Sequence, residues 1–283
     1  MSGKSFFVGL AISMLAWSSA SLSWAQDVKL TPGVPAEFDV PNAPPSMAIQ
    51  LRHASDAVRM TIKLPTDYDP NKSYPVLVFL NGGDGGMGGE LNMAEPFLGG
   101  EGYILCNMPL FKRVVETDRD EVKWSITPAD GPYALAAYRI LFGELSRLVP
   151  NLDPSRSVLA GFSSGASGVA LLLWIGEREL LDVFSAFVMV EGGFWLGRTE
   201  DRESGIAFQR GNFSGLDGKR VLILYGDQTM PEDRIPWIAD AKETGAALQA
   251  AGVNAEALPM NGIGHEFPAD VMEKTRAWLT RGW

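Results

Sequence analysis

The chain has 283 residues, with 24 Lys and Arg against 34 Asp and Glu, a formal net charge of −10. That balance argues against nucleic acid as a partner, because phosphate binding needs clustered Lys and Arg, and it is equally unhelpful on anionic lipid; an acidic, solubilising surface is the simpler reading. Cys106 is the only cysteine, so no internal disulfide and no CxxC site can form, and two histidines, His53 and His265, cannot assemble a multi-histidine metal site.

The chain opens with Lys4, an apolar run from Phe6 to Trp17 and a small-residue stretch ending Ser23-Trp24-Ala25. Basic start, apolar core and small residues at −3 and −1 spell a secretory signal, with cleavage expected after Ala25 and a periplasmic or extracellular destination. The run is short for a membrane span, which needs about 20 residues, and no second run approaches that length. Residues 26–55 include a proline-rich stretch and read as a leader lying over a domain of residues 56–283, a size that suits one well-buried core.

Within that domain Ala57–Pro65 alternates, with Val58, Met60, Ile62 and Leu64 on one side, and predicts an early antiparallel strand. Tyr74–Leu80 (YPVLVFL) is a continuous apolar run, as a strand buried on both faces requires. Further strands are expected at Gly102–Met108, Ser157–Gly161, Phe184–Val190, Lys219–Tyr225 and Ala255–Met260. Helical spacing marks Pro132–Leu148, Ala166–Ile175, Asp240–Ala251 and Ala269–Leu279. Strands alternating with helices predict an α/β fold, a mostly parallel sheet flanked by helices on both faces. Reactive groups in such sheets gather beyond the strands' carboxyl ends.

Three segments sit at those ends. Gly161-Phe162-Ser163-Ser164-Gly165 lies between a strand and a helix. A serine on such a turn is pushed toward solvent, its neighbours must be small, and the helix start offers N–H groups to an anion. Asn81-Gly82-Gly83-Asp84-Gly85-Gly86 follows the YPVLVFL strand, without the GK[ST] ending of a phosphate loop. Acyl transfer needs two N–H donors for the developing oxyanion; the N–H of Ser164 and that of Gly82 or Gly83 are the candidates. Gly262-Ile263-Gly264-His265 follows the last strand, and an imidazole there can serve as the base a serine hydroxyl needs. His53 precedes this framework and is assigned no role.

The acid that orients the imidazole is open. Asp227, just past the KRVLILY strand, is the first candidate; Asp233 and Glu232 are the next; Glu191, after VMV, is an outside choice.

With these residues the chain resembles the α/β-hydrolase superfamily, and among its members the secreted feruloyl-esterase and polyhydroxyalkanoate-depolymerase-like enzymes. The likeness runs through "LPTDYDPNKSYPVLVFLNGG", "GFSSGASG", "LYGDQ" and "AGVNAEALPMNGIGHEFP". It implies an α/β-hydrolase fold without a large cap domain, no cofactor or metal, and hydrolysis of a small-molecule or polymer-linked ester through an acyl-enzyme, with Ser163 as nucleophile and His265 as base. Asn81 stands where many relatives have histidine, and Thr229 where they often carry the acid. The rival readings are a serine peptidase on the same fold and a noncatalytic binding protein built on it.

Overall fold

Side chains of the strand Val76–Leu80 divide between two cores: Val76, Val78 and Leu80 pack on one side of the sheet, Leu77 and Phe79 on the other. All five are wholly buried. That double burial is why the segment reads as an unbroken apolar run and not an alternating one. The structure, a computed structural model, describes residues 28–86, 90–98, 102–113, 126–200, 207, 209, 211, 213–228 and 237–281. The expected signal segment ending at Ala25 lies outside the described residues.

The described strands are β1 (Ala36–Asp39), β2 (Arg59–Lys63), β3 (Val76–Leu80), β4 (Ile104–Asn107), β5 (Val158–Phe162), β6 (Ala186–Val190), β7 (Arg220–Gly226) and β8 (Asn254–Met260). They form one sheet in the order β1-β2-β4-β3-β5-β6-β7-β8. β2 runs antiparallel to both β1 and β4, and every pair from β4 to β8 is parallel. The expected mostly parallel α/β sheet is what the chain builds. The leader differs from expectation: Ala36–Asp39 joins the sheet, pairing Ala36 with Ile62 and Phe38 with Met60. Four residues with one buried apolar side chain, Phe38, are too few to carry a visible period beside the flanking prolines.

The helices are α1 (Pro45–Ile49), α2 (Ala94–Leu98), α3 (Gly131–Leu148), α4 (Ser164–Ile175), α5 (Arg178–Leu181), α6 (Trp237–Ala250) and α7 (Ala269–Thr280). Residues of α3, α4 and α6 fill the core on one face of the sheet, and those of α2 and α7 fill it on the other. α3 is amphipathic, burying Tyr138, Leu141, Phe142 and Leu145. α4 is apolar on nearly every side and buried accordingly, and it stops at Gly176 in the left-handed conformation. Cys106 is wholly buried in β4, and burial pushes its thiol pKa well above the ordinary range, so it is an inert packing group. Among the described residues no helix is long and apolar enough to cross a membrane.

Two substitutions in α3 separate propensity from packing. A methyl on the exposed Gly143 meets open space, so Gly143→Ala is expected to stabilise the protein by about 0.5–1 kcal/mol. Leu145→Ala, at a wholly buried position, is expected to cost about 2–5 kcal/mol. Urea unfolding of the two variants checks both signs.

Candidate active site

The turn between β5 and α4 is forced by its neighbours. Ser163 has φ 55° and ψ −119°, a left-handed conformation that a non-glycine residue holds only at a cost of about 1–3 kcal/mol. Its N–H donates to the Val190 carbonyl at 2.8 Å, and its carbonyl accepts the Ser167 N–H at 3.1 Å, so both sides of the strained residue are tied down. Close backbone approach completes the constraint. A Cβ on Gly165 would lie 1.9 Å from the Leu80 carbonyl oxygen, and one on Gly192 would lie 2.2 Å from that of Ser163. Glycine is the only residue that fits either place.

The Ser163 hydroxyl meets His265, with Oγ 2.9 Å from Nε2. The imidazole lies in the loop after β8, between Phe162, whose ring centroid is 5.0 Å away, and Trp237, edge-on at 5.8 Å. These two aromatics restrict the ring to an orientation that presents Nε2 to the serine. Its other nitrogen, Nδ1, is 3.4 Å from Oε2 of Glu191. That is longer than the roughly 2.7–2.9 Å of a tight charge-assisted bond.

Glu191 follows the last residue of β6, also has a left-handed φ of 54°, and is 5 % exposed. Its second oxygen, Oε1, accepts the N–H of Gly226 at the end of β7, and its own N–H donates to the Leu224 carbonyl at 2.9 Å. The carboxylate is thus oriented by one strand end and aimed at a ring delivered by another. Of the non-glycine residues with left-handed φ among the described ones, Asn42 is of a type that adopts it readily; the others are Ser163 and Glu191.

The structure does not bring the first-choice carboxylate to the ring. Asp227 turns its side chain to the Gly262 N–H, at 2.7 Å, while its own N–H donates to the Met260 carbonyl at 3.3 Å. It ties the start of the histidine loop to the end of β7. Glu232, Asp233 and Thr229 lie outside the described residues. The signal that singles out Glu191 is faint in sequence: a carboxylate directly after a fully buried strand, followed by two glycines. Asp227 occupies the same kind of position one strand further on, so spacing alone does not separate them.

The loop after β3 brings Gly82 against the turn; a Cβ there would sit 3.2 Å from that of Ser163. Gly83 has φ 65°. Asn81 is buried, and its side-chain N–H donates to the Glu90 carbonyl at 3.1 Å, closing the base of the loop. Ser164 opens α4 beside Ser163. Ser163, His265 and Gly82 face an open cavity of about 610 Å³, whose walls include Met93, Phe162 and Trp237. The site joins a hydroxyl, an imidazole and a glycine loop around one cavity, with a buried carboxylate on the ring's other nitrogen.

No family model matches the chain, and none of the curated proteins does. Solved structures do. A thermostable esterase superposes with a TM-score of 0.53 at 16% identity, covering 88% of this chain, which spans 62% of that protein's length. The native esterase 2 of the planctomycete Thermogutta terrifontis gives 0.56 at 15% identity, over 84% of this chain and 94% of its own. A dipeptidyl aminopeptidase IV candidate from Bacteroides ovatus gives 0.52 at 15% identity, over 88% of this chain but 36% of its own.

In Gly165→Ala the added methyl meets backbone and cannot be accommodated by rotating a side chain. Unfolding by urea is expected to show a loss of about 3 kcal/mol or more, and reaction of Ser163 with a fluorophosphonate is expected to be lost in whatever protein still folds. With its mostly parallel sheet and helices on both faces, and with these solved structures superposing on most of its length, the chain has the α/β-hydrolase fold.

Proposed function

We propose that this protein is a serine hydrolase of carboxylic esters, with Ser163 as nucleophile, His265 as general base and Glu191 as the acid of the triad. The observation that carries the reading is the 2.9 Å contact between Ser163 Oγ and His265 Nε2, with a buried carboxylate on the ring's other nitrogen. Esterases of the same fold among the structural neighbours support it.

His265 Nε2 takes the Ser163 proton as Oγ attacks the ester carbonyl carbon, and the carbonyl π electrons move onto its oxygen. The N–H groups of Ser164 and of Gly82 or Gly83 hold that oxyanion. Glu191 stabilises the imidazolium without taking its proton. Collapse of the tetrahedral intermediate breaks the C–O bond; the alcohol leaves with the proton from His265, and an acyl-serine remains. Water then repeats the sequence, giving its proton to His265 and releasing the acid and Ser163. The open cavity suits an ester that enters from solvent, free or linked to a polymer, which accords with a secreted enzyme of the feruloyl-esterase or depolymerase kind. Peptide cleavage by the same groups is the second reading, favoured only by the likeness to the peptidase candidate.

Hydrolysis of p-nitrophenyl butyrate and of a peptide p-nitroanilide by wild type and four variants tests this. Ser163→Ala is expected to abolish both ester turnover and fluorophosphonate labelling. Glu191→Gln is expected to lower kcat on the order of 10³–10⁴-fold, while Asp227→Asn and Asp227→Ala stay within about tenfold because they disturb only the loop's anchor. Equal, near-background rates for wild type and Ser163→Ala would replace the enzyme with a binding protein. Faster anilide than ester cleavage would move it to the peptidases.

A further inference from the structure

The second histidine meets the loop that carries the oxyanion donors. Nδ1 of His53 is 2.6 Å from Oδ2 of Asp84, and the other oxygen of the same carboxylate, Oδ1, accepts the Gly86 N–H at 3.0 Å. An ionised carboxylate only accepts, so the ring donates through Nδ1–H. Burial opposes ionisation of Asp84, but the Gly86 and His53 bonds outweigh it and hold the carboxyl below its ordinary value.

Asp84 occupies a sensitive position. The Gly85 N–H donates to the Gly82 carbonyl at 3.1 Å, closing a turn whose central residues are Gly83, at φ 65°, and Asp84. Fixing the Asp84 backbone restrains the peptide plane it shares with Gly83, and the Gly85–Gly82 bond restrains the one before, which carries the Gly83 N–H. A turn with so many glycines does not hold one conformation by itself. It needs an external anchor.

The anchor is delivered from the N-terminal side of the sheet. Residues 50–52 run antiparallel beside 110–112: the Arg52 N–H donates to the Leu110 carbonyl at 2.9 Å, the Lys112 N–H to the Gln50 carbonyl at 2.8 Å, and Leu51 bridges Phe111. The Leu110 side chain supports the loop itself; a Cβ on Gly85 would lie 2.5 Å from its Cγ. Arg52 is 3 % exposed, and its charge acts on both Asp84 and Asp130. His53 is therefore the last residue of a fixed strap, projected onto the turn. The side chains of the pair are 36 % and 37 % exposed, so it contributes little to global stability. Its value lies in what it holds.

We propose that His53, through Asp84, is a positioning residue that sets the backbone of the Gly82–Gly83 oxyanion loop. The inference rests on the reading that this loop donates to the oxyanion in ester hydrolysis. It predicts an effect on turnover and little on substrate binding, because the donors act most strongly on charge that develops in the transition state.

The test measures kcat and KM for p-nitrophenyl butyrate in wild type, His53→Ala, His53→Asn, Asp84→Asn and Ser163→Ala, with an unfolding midpoint for each. His53→Ala and Asp84→Asn are expected to lose about tenfold in kcat, the scale of a donor displaced by under an ångström, with KM within about twofold. His53→Asn, whose amide N–H sits near the place of Nδ1–H, is expected to recover most of the loss. If His53→Ala does not fold, His53→Asn near the wild-type rate together with a slow Asp84→Asn still supports the role. Ser163→Ala inactive while His53→Ala and Asp84→Asn keep wild-type kcat would overturn the proposal and leave the esterase reading standing. A loss confined to KM, or one that His53→Asn does not relieve, would overturn it too. Ser163→Ala as active as wild type would remove the esterase reading, and the positioning role with it.

Discussion

The whole site depends on one strained residue being unable to relax. Ser163 stands at φ 55°, and three things prevent a return to ordinary strand or helix geometry. Its N–H is held by the Val190 carbonyl and its carbonyl by the first turn of α4. The backbones around it pass too closely for any side chain at Gly165 or Gly192. Beneath it lies a strand whose Val158, Leu159 and Ala160 are fully buried, so displacement of β5 would open the core. A close-packed interior does not yield by small amounts. Strain of this kind persists where the surroundings over-determine it, which is how a hydroxyl comes to be fixed outside the regular elements.

The same logic extends along the sheet. Phe162 and Val190 are register partners at the ends of β5 and β6, so the next residues, Ser163 and Glu191, leave the sheet side by side, both with left-handed φ. β7 follows, and Gly226 at its end donates to the Glu191 carboxylate. β8 comes last and leads to the loop that carries His265. Four adjacent parallel strands thus deliver a hydroxyl, a carboxylate, a donor that orients it and an imidazole along one edge. The two carboxylates near that edge divide the work: Glu191 faces the ring, and Asp227 holds the ring's loop by the Gly262 N–H. Both carboxylates accept a backbone N–H, and what separates them is that Glu191 also meets the imidazole with its second oxygen.

Much of this was legible from residue order. The apolar runs at Tyr74–Leu80, Ser157–Gly161 and Phe184–Val190 correspond to β3, β5 and β6, because strands covered on both faces by helices have no polar positions to blur them. The leader was not. β1 lies at the edge of the sheet, where a four-residue strand with one buried side chain carries no period. His53 was equally invisible, since it lies 31 positions before Asp84 and meets it only because residues 50–52 pair beside 110–112.

By itself the sequence determined an alternating α/β chain, the strand–turn–helix context of Ser163, the terminal position of His265 and the glycine loop after β3. Each is written in local composition, because strand burial, tight turns and helix starts restrict which residues fit within a few positions. Tertiary structure decided which carboxylate meets the imidazole, and that His53 meets the loop beside Ser163. Those pairings depend on strand order and on which strand ends lie next to one another, relations between segments tens of residues apart that no local pattern records.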